Sequence, residues 1–260
     1  MVIWSVANQK GGVGKTTTVV SLGALLAEQG KRVLLLDLDP QGSLTSYFKD
    51  DPESPQPGSY HLFQPAETRP HPVSLLTETG LPNLTLIPGR TALATLEKNL
   101  TRQAGMGQTI SQALKLLSND FDHVLIDTPP LIGLLLINAL AAAHRLIIPV
   151  QTDPMALSSL QGMSATLNRL RSSIHRPLPD TLVPTLYDPR TRSSRLCLQN
   201  LKNEYPDRLW PQPIPVDTGF RDAARLGVPL GDRNAESPGW LAYSHLLESL
   251  LRADQEQLSA

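Results

Sequence analysis

The chain has 260 residues, 40% hydrophobic and 18% charged, with a formal net charge of −1. That length and apolar content suit one large domain with a real core, and no basic total charge advertises nucleic acid. A single cysteine, Cys197, excludes a disulfide framework and the paired cysteines of a subunit-bridging iron–sulfur cluster, and it fits a reducing cytoplasm.

The apolar run Val2-Ile3-Trp4-Ser5-Val6-Ala7 reads as a strand with no charged region or cleavable segment before it, so no signal peptide is expected. Asn8-Gln9-Lys10-Gly11-Gly12-Val13-Gly14-Lys15-Thr16-Thr17-Thr18 follows, and a helical pattern begins near Thr16. The glycines let successive backbone N–H groups turn inward, and the helix start aims its positive dipole end at the same point. This is a phosphate cradle of the nucleoside-triphosphatase kind. Lys15 reaches the β- and γ-phosphates and Thr16 offers its hydroxyl to Mg²⁺, while the stretch Gly11, Gly12, Val13, Gly14, Lys15, Thr16 and Thr17 wraps the phosphate oxygens.

Thr16 to Gln29 has helical spacing that stops at Gly30, and Val33-Leu34-Leu35-Leu36 is a strand buried on both faces. It ends in Asp37-Leu38-Asp39-Pro40, and alternation puts both carboxylates on one side, near the phosphates and Mg²⁺. The alternative for either acid is to cap the short helix Ser43 to Phe48. From Asp50 to Pro82 prolines accumulate and periodicity is lost, which predicts an irregular surface excursion with a packed turn at Tyr60-His61-Leu62-Phe63. His61 and His71 lack metal-spaced partners and read as ordinary loop residues.

A strand is expected at Leu84 to Ile87 and helices at Ala92 to Leu100 and Thr109 to Leu117. Phe121 to Asp127 is an apolar strand ending in an acid, the Walker B arrangement in which Asp127 binds Mg²⁺ through water. Leu131 to Ala143 is too short to cross a membrane and reads as a buried helix. Arg145 to Val150 and Thr181 to Leu186 are strands, Met155 to Leu170 a helix, and Trp240 to Arg252 an amphipathic helix packed on the domain. Between Ala165 and Asn200, Arg169, Arg171, Arg176, Arg190, Arg192 and Arg195 face only Asp180 and Asp188, a local excess of +4.

Two details of the loop narrow the field: Gln9 stands where the common pattern has glycine, and Lys10 supplies a second lysine. With Asp37-Leu38-Asp39-Pro40, Asp127-Thr128-Pro129-Pro130, Tyr187-Asp188-Pro189-Arg190-Thr191 and Trp210 to Thr218, the chain resembles the "deviant" Walker A ATPases of the ParA/MinD/nitrogenase-iron-protein group, its ParA/Soj branch above all. The resemblance covers nearly the whole chain apart from the proline-rich stretch. It implies a single doubly wound α/β domain with a mostly parallel sheet, of the P-loop NTPase (SIMIBI) type. ATP and Mg²⁺ are the implied cofactors, with turnover slow enough to act as a switch.

On that resemblance Lys10 reaches the nucleotide of a second subunit, Asp39 orients the attacking water, and Asp37 supports the metal shell. Met155 to Leu170 contributes to a dimer face. Pro215 lies against adenine and Asp217, where the family often has asparagine, near its exocyclic amine. Arginines of such proteins hold DNA without sequence preference. Arg190 matches one such position, Arg192, Arg195, Arg221 and Arg225 lie near, and Gly219 stands where the family has another. The implied partners are a second copy in ATP, non-specific DNA and a stimulating or adaptor protein; the tail lacks the basic character of a membrane-seeking helix. The opening and the stretch Asp39 to Phe48 also resemble the chemotaxis-associated ParA-like (ParC) proteins, which implies chemoreceptor arrays at a cell pole as cargo. Plasmid or chromosome partition is the alternative, with a MinD-like membrane regulator or a metabolic ligase or kinase of the superfamily behind it.

Overall fold

The apolar runs of the sequence lie side by side in one sheet of a computed structural model that describes residues 1–65, 67–100, 106–158, 160–164, 167 and 176–259. Its strands are β1 (Val2–Val6), β2 (Val33–Asp37), β3 (Thr77–Glu78), β4 (Leu84–Ile87), β5 (His123–Asp127), β6 (Arg145–Gln151) and β7 (Asp180–Thr185). They stand in the order β3-β4-β2-β5-β1-β6-β7. All neighbours run parallel except β3 against β4.

Both faces of the sheet are covered, which is why its central strands are mostly apolar, with Asp37 and Asp127 at the carboxyl ends of β2 and β5. Trp4, Val33, Leu35 and Leu125 enter one core layer with α1 (Lys15–Glu28), while Ile3, Leu34, Leu36 and Val124 enter the other. α2 (Ser43–Tyr47), α3 (Ala92–Leu100), α4 (Thr109–Lys115), α5 (Leu134–Ala142), α6 (Arg192–Glu204), α7 (Gly219–Leu226), α8 (Leu230–Arg233) and α9 (Pro238–Ser259) complete the layers. α9 lies along α1, with Tyr243 Oη 2.9 Å from Thr18 Oγ1. Farther down α9, Asp254 accepts from Trp4 Nε1 at 2.8 Å and Arg145 Nε at 2.7 Å.

Three expectations change. The proline-rich stretch is more than a surface excursion: it forms 3₁₀ turns at Ser59–Phe63 and Pro72–Leu75 and the strand β3. Leu62, Phe63 and Leu75 enter the core, and the buried Arg90 binds Asp50 and the carbonyls of Asp51, Gln56 and Pro57. The run from Leu131 is buried only from Leu134 onward; Leu131 and Ile132 are 67% and 51% exposed because they precede the helix. Of the helix expected at Met155 to Leu170, residues 156–158 and 160–164 are helical, and Arg169 and Arg171 lie outside the described residues.

Candidate nucleotide site

The turn after β1 carries the glycine loop to the carboxyl end of the sheet, where open parallel sheets bind ligands. Gly12 and Gly14 have φ of 73° and 91°, a region that costs any other residue strain. A Cβ built at Gly11, Gly12 or Gly14 meets nothing within 4 Å, so the concave side of the loop is open space framed by backbone. The first turn of α1, from Lys15, leaves its N–H groups without intrahelical acceptors, and the helix dipole favours an anion there. Gly11, Gly12, Gly14, Lys15, Thr16 and Thr17 line a cleft of ≈ 520 Å³. Val13 instead points inward, fully buried, and its carbonyl accepts from Thr185 Oγ1 at 2.8 Å.

Across the loop, β5 delivers Asp127. Its Oδ2 accepts from Thr16 Oγ1 at 2.6 Å, and its buried Oδ1 has no protein hydrogen-bond partner among the described residues. Burial, then the neighbouring Asp37 charge, pushes the Asp127 carboxyl upward, while Thr16 and Lys15 oppose the shift. Burial draws the Lys15 ammonium below its ordinary value, with Asp127 and Asp39 acting in the other direction. A hydroxyl and an orphaned carboxylate oxygen beside a phosphate cradle fit hydrated Mg²⁺, which takes one or two carboxylates plus phosphate oxygens and needs no all-protein cage.

Asp39 and Asp37 have different surroundings. Asp39 lines the cleft with Gln41, and one of its oxygens accepts from Gln41 N at 2.9 Å. Burial raises its pKa, opposed by the Gln41 amide and Lys15. Asp37, expected to support the metal shell, is wholly buried and serves as a cap. Its Oδ1 accepts from Asp39 N at 3.0 Å, and its Oδ2 from Thr45 N and Oγ1 at 2.9 and 2.7 Å. Using Asp37 as a ligand would take the acceptor away from the Asp39 and Thr45 donors that it holds.

At the far end of the cleft, Pro215 sits on a segment laid against the end of β7 by Tyr187 N to Ile214 O and Val216 N to Tyr187 O, both 3.0 Å. Leu186, Ile214, Phe220 and Tyr243 share this apolar end. Asp217 also lines the cleft, but its carboxylate already serves protein donors: Gly219 N at 2.8 Å, Gly239 N at 3.1 Å and Ser237 Oγ. Burial works to raise its pKa, yet the three donors outweigh it and hold the group low. Leu186 and Phe220 carried no sequence signal as cleft residues: Leu186 is brought in by a left-handed turn, φ 52°, after β7.

Residues 1–179 match the family model described as an AAA domain. The chromosome-partitioning ATPase Soj of Thermus thermophilus is 36% identical over 97% of this chain and 96% of its own length. The chain belongs to the ParA/Soj family of P-loop ATPases. The chromosome partitioning protein ParA of Caulobacter vibrioides is 30% identical over 98% of the chain and 96% of its own length. A crystal structure of cobyrinic acid a,c-diamide synthase from Mycobacterium smegmatis with bound ADP and magnesium superposes with a TM-score of 0.83. It is 37% identical and covers 98% of this chain and 95% of that one.

For a ParA/Soj member two further groups matter. Lys10 does not point at its own phosphate loop: its ammonium pairs with Asp153, beyond the end of β6, a partner that sequence spacing could not reveal. The arginines divide. Arg190, Arg192 and Arg195 are exposed at the start of α6, with Arg190 forked onto Asp188 at 2.9 Å through both Nε and Nη2. Arg225 is exposed on α7, whereas Arg221 lines the nucleotide cleft. Arg176, counted in the basic stretch, is spent on the carbonyls of Ala141 and Ala143.

Proposed function

We propose that the protein is an Mg²⁺-dependent ATPase that dimerises around two ATP molecules, binds DNA without sequence preference while dimeric, and so positions or partitions a cellular cargo. The observation that carries it is the Thr16–Asp127 pair, 2.6 Å apart at the head of the glycine loop, with an unpartnered Asp127 oxygen beside it. Thr16 and Asp127 would hold Mg²⁺, whose contribution is to neutralise charge developing between the β- and γ-phosphates. Lys15 and the backbone of residues 11–17 bind the phosphates, with Pro215 and its apolar neighbours against the base.

Hydrolysis forms a bond from a water oxygen to the γ-phosphorus as the bridging oxygen to the β-phosphate departs, giving ADP and phosphate. Asp39, at the cleft beside the γ-phosphate end of the loop, orients that water and takes its proton. Lys10 of each subunit contacts the other's nucleotide, so turnover dissolves the dimer and releases DNA. Arg190, Arg192, Arg195 and Arg225 supply phosphate contacts of the salt-sensitive, sequence-independent kind. The relatives' partition names favour chromosome or plasmid cargo. The ParC-like opening favours polar chemoreceptor arrays, and imaging of a fluorescent fusion distinguishes foci at poles from partition foci.

A second reading draws on the synthase among the neighbours and on a further cavity of ≈ 470 Å³ beside Asp39, lined by Gln41, Lys98 and Pro129 to Gly133. A ligase would turn over ATP in response to a small acid and an amide donor, and not to DNA. The deciding experiment is dimer mass and DNA retention with ATP, ADP and no nucleotide. Asp39→Ala is expected to trap a DNA-bound dimer, Lys15→Ala never to form one, and Arg190→Glu to dimerise without holding DNA. A wild-type protein that stays monomeric and ignores DNA in saturating ATP and Mg²⁺ overturns the proposal.

A further inference from the structure

The phosphate loop and the arginine-bearing start of α6 are joined by buried side chains that no step of ATP hydrolysis uses. Val13 in the loop accepts from Thr185 Oγ1 at 2.8 Å. The carbonyl of Thr185 in turn accepts from Thr152 N at 3.0 Å and from Thr152 Oγ1 at 3.3 Å. Thr152 Oγ1 stands 2.6 Å from Ser194 Oγ, which also accepts from Asp188 N at 3.1 Å. Thr185, Thr152 and Ser194 are 2%, 4% and 3% exposed, so the bonds among their side chains and to Val13 are shielded from bulk water. A single polarity satisfies every hydroxyl: Asp188 N donates to Ser194, Ser194 to Thr152, and Thr152 to the Thr185 carbonyl.

Two observations place this chain of bonds against the cleft and the phosphate loop. Leu186, directly after Thr185, holds φ 52° while lining the cleft, a conformation a branched residue keeps only where its surroundings over-determine it. The turn that carries Thr152 also carries Asp153, which holds Lys10 at the other end of the phosphate loop. One short turn after β6 therefore holds the loop directly at Lys10 and by way of Thr185 at Val13, and it reaches the segment bearing Arg190, Arg192 and Arg195 through a single hydroxyl pair.

We propose that the Thr152 and Ser194 hydroxyls form the joint through which the phosphate loop sets the placement of residues 188–195, making both of them positioning residues for the arginine surface. The inference rests on the nucleotide reading above but not on what the arginines bind. Hydrogen exchange tests it directly. In the wild type, a non-hydrolysable ATP analogue with Mg²⁺ should slow amide exchange at 188–195 by about 5-fold or more relative to ADP, the scale of ordinary site-to-site coupling. Thr152→Val, which keeps the shape, and Ser194→Ala should each lose that response while residues 11–17 stay protected and the analogue still drives dimer formation. Ser194→Thr, which keeps the hydroxyl, should retain it.

DNA binding is the second readout: the affinity ratio between the analogue and ADP should fall toward one in both variants and stay at the wild-type ratio in Ser194→Thr. The two variants alter different elements, so if one fails to fold the other carries the test. A wild type with no response at 188–195, or a folded variant that keeps the full response, overturns the joint. A wild type that responds there but holds no DNA leaves the joint standing and sinks the DNA-binding reading instead.

Discussion

Asp37 and Thr16 sit within the same few residues of the phosphate end, yet they do opposite jobs. Removing the Asp37 carboxylate leaves the amides of Asp39 and Thr45 and the Thr45 hydroxyl without that acceptor in a fully buried setting. Asp37→Ala should therefore cost on the order of 3 kcal/mol of stability. Thr16, with its Oγ1 on Asp127, should show the reverse pattern. Thr16→Ala should leave the unfolding midpoint within a few degrees of wild type and raise the Mg²⁺ concentration needed for ATP binding by about 10-fold or more. That factor is one charge-assisted contact, worth roughly 1.5–3 kcal/mol. Denaturant melts and Mg²⁺ titrations of both variants separate the roles; an Asp37→Ala protein that folds well and loses Mg²⁺ dependence would return that residue to the metal shell. Asp217 teaches the same lesson from the other end of the cleft. Its position in the chain was legible, but beside the nearby Gly219 amide its carboxylate also takes donors from Ser237 and Gly239 at the entry to α9, which sequence spacing does not bring together.

The central strands were legible because a strand covered on both faces is a continuous apolar run, and β4 lies where Leu84 to Ile87 predicted it. β3 was not, since two residues, Thr77 and Glu78, become a strand only by pairing with the edge of β4. Nor was the reach of α9, whose Asp254 satisfies Trp4 on β1 and Arg145 on β6 from more than a hundred residues away. Arg145 is 5% exposed, so Asp254→Ala leaves a buried guanidinium with only the neutral Thr181 and Gln257 as partners and should cost about 3 kcal/mol, seen as a lower thermal midpoint with ATP binding preserved. β5 carries a pH-sensitive element of its own. His123 is 8% exposed, its Nδ1 has no hydrogen bond among the described residues, and burial, then Lys31, holds its pKa below the ordinary histidine value. The folded state thus keeps the ring neutral while the unfolded chain takes a proton below about pH 6.5. Its contribution is intact above that pH and is lost as pH falls through it toward the lowered folded value. His123→Gln should remove this acid-side loss, measured as a smaller fall in unfolding free energy between pH 7.5 and 5.5 than in the wild type.

For the whole molecule the decisive group is Lys10, because it is the one loop cation whose partner, Asp153, lies away from the phosphate cradle. The two side chains are 29% and 24% exposed, and a pair so open to solvent is worth no more than about 1 kcal/mol. In the proposed dimer, a triphosphate presented by a second copy would offer Lys10 a more highly charged anion than Asp153, so the exchange would favour assembly of two nucleotide-loaded subunits. ADP lacks the γ-phosphate charge and would compete less well, which under the proposal ties assembly to the triphosphate. Lys10→Ala should consequently bind ATP and Mg²⁺ as a monomer with near wild-type affinity. Two such exchanges disappear per dimer, each a contact of roughly 1.5 kcal/mol or more, less the ion pair of about 1 kcal/mol that it replaces, so its ATP-dependent dimerisation should weaken by about 5-fold or more. Light scattering in saturating ATP, in an Asp39→Ala background that suppresses turnover, reads this directly. A Lys10→Ala protein that dimerises as tightly as its parent would mean that Lys10 stays with Asp153 in every state and that the subunits meet through some other surface.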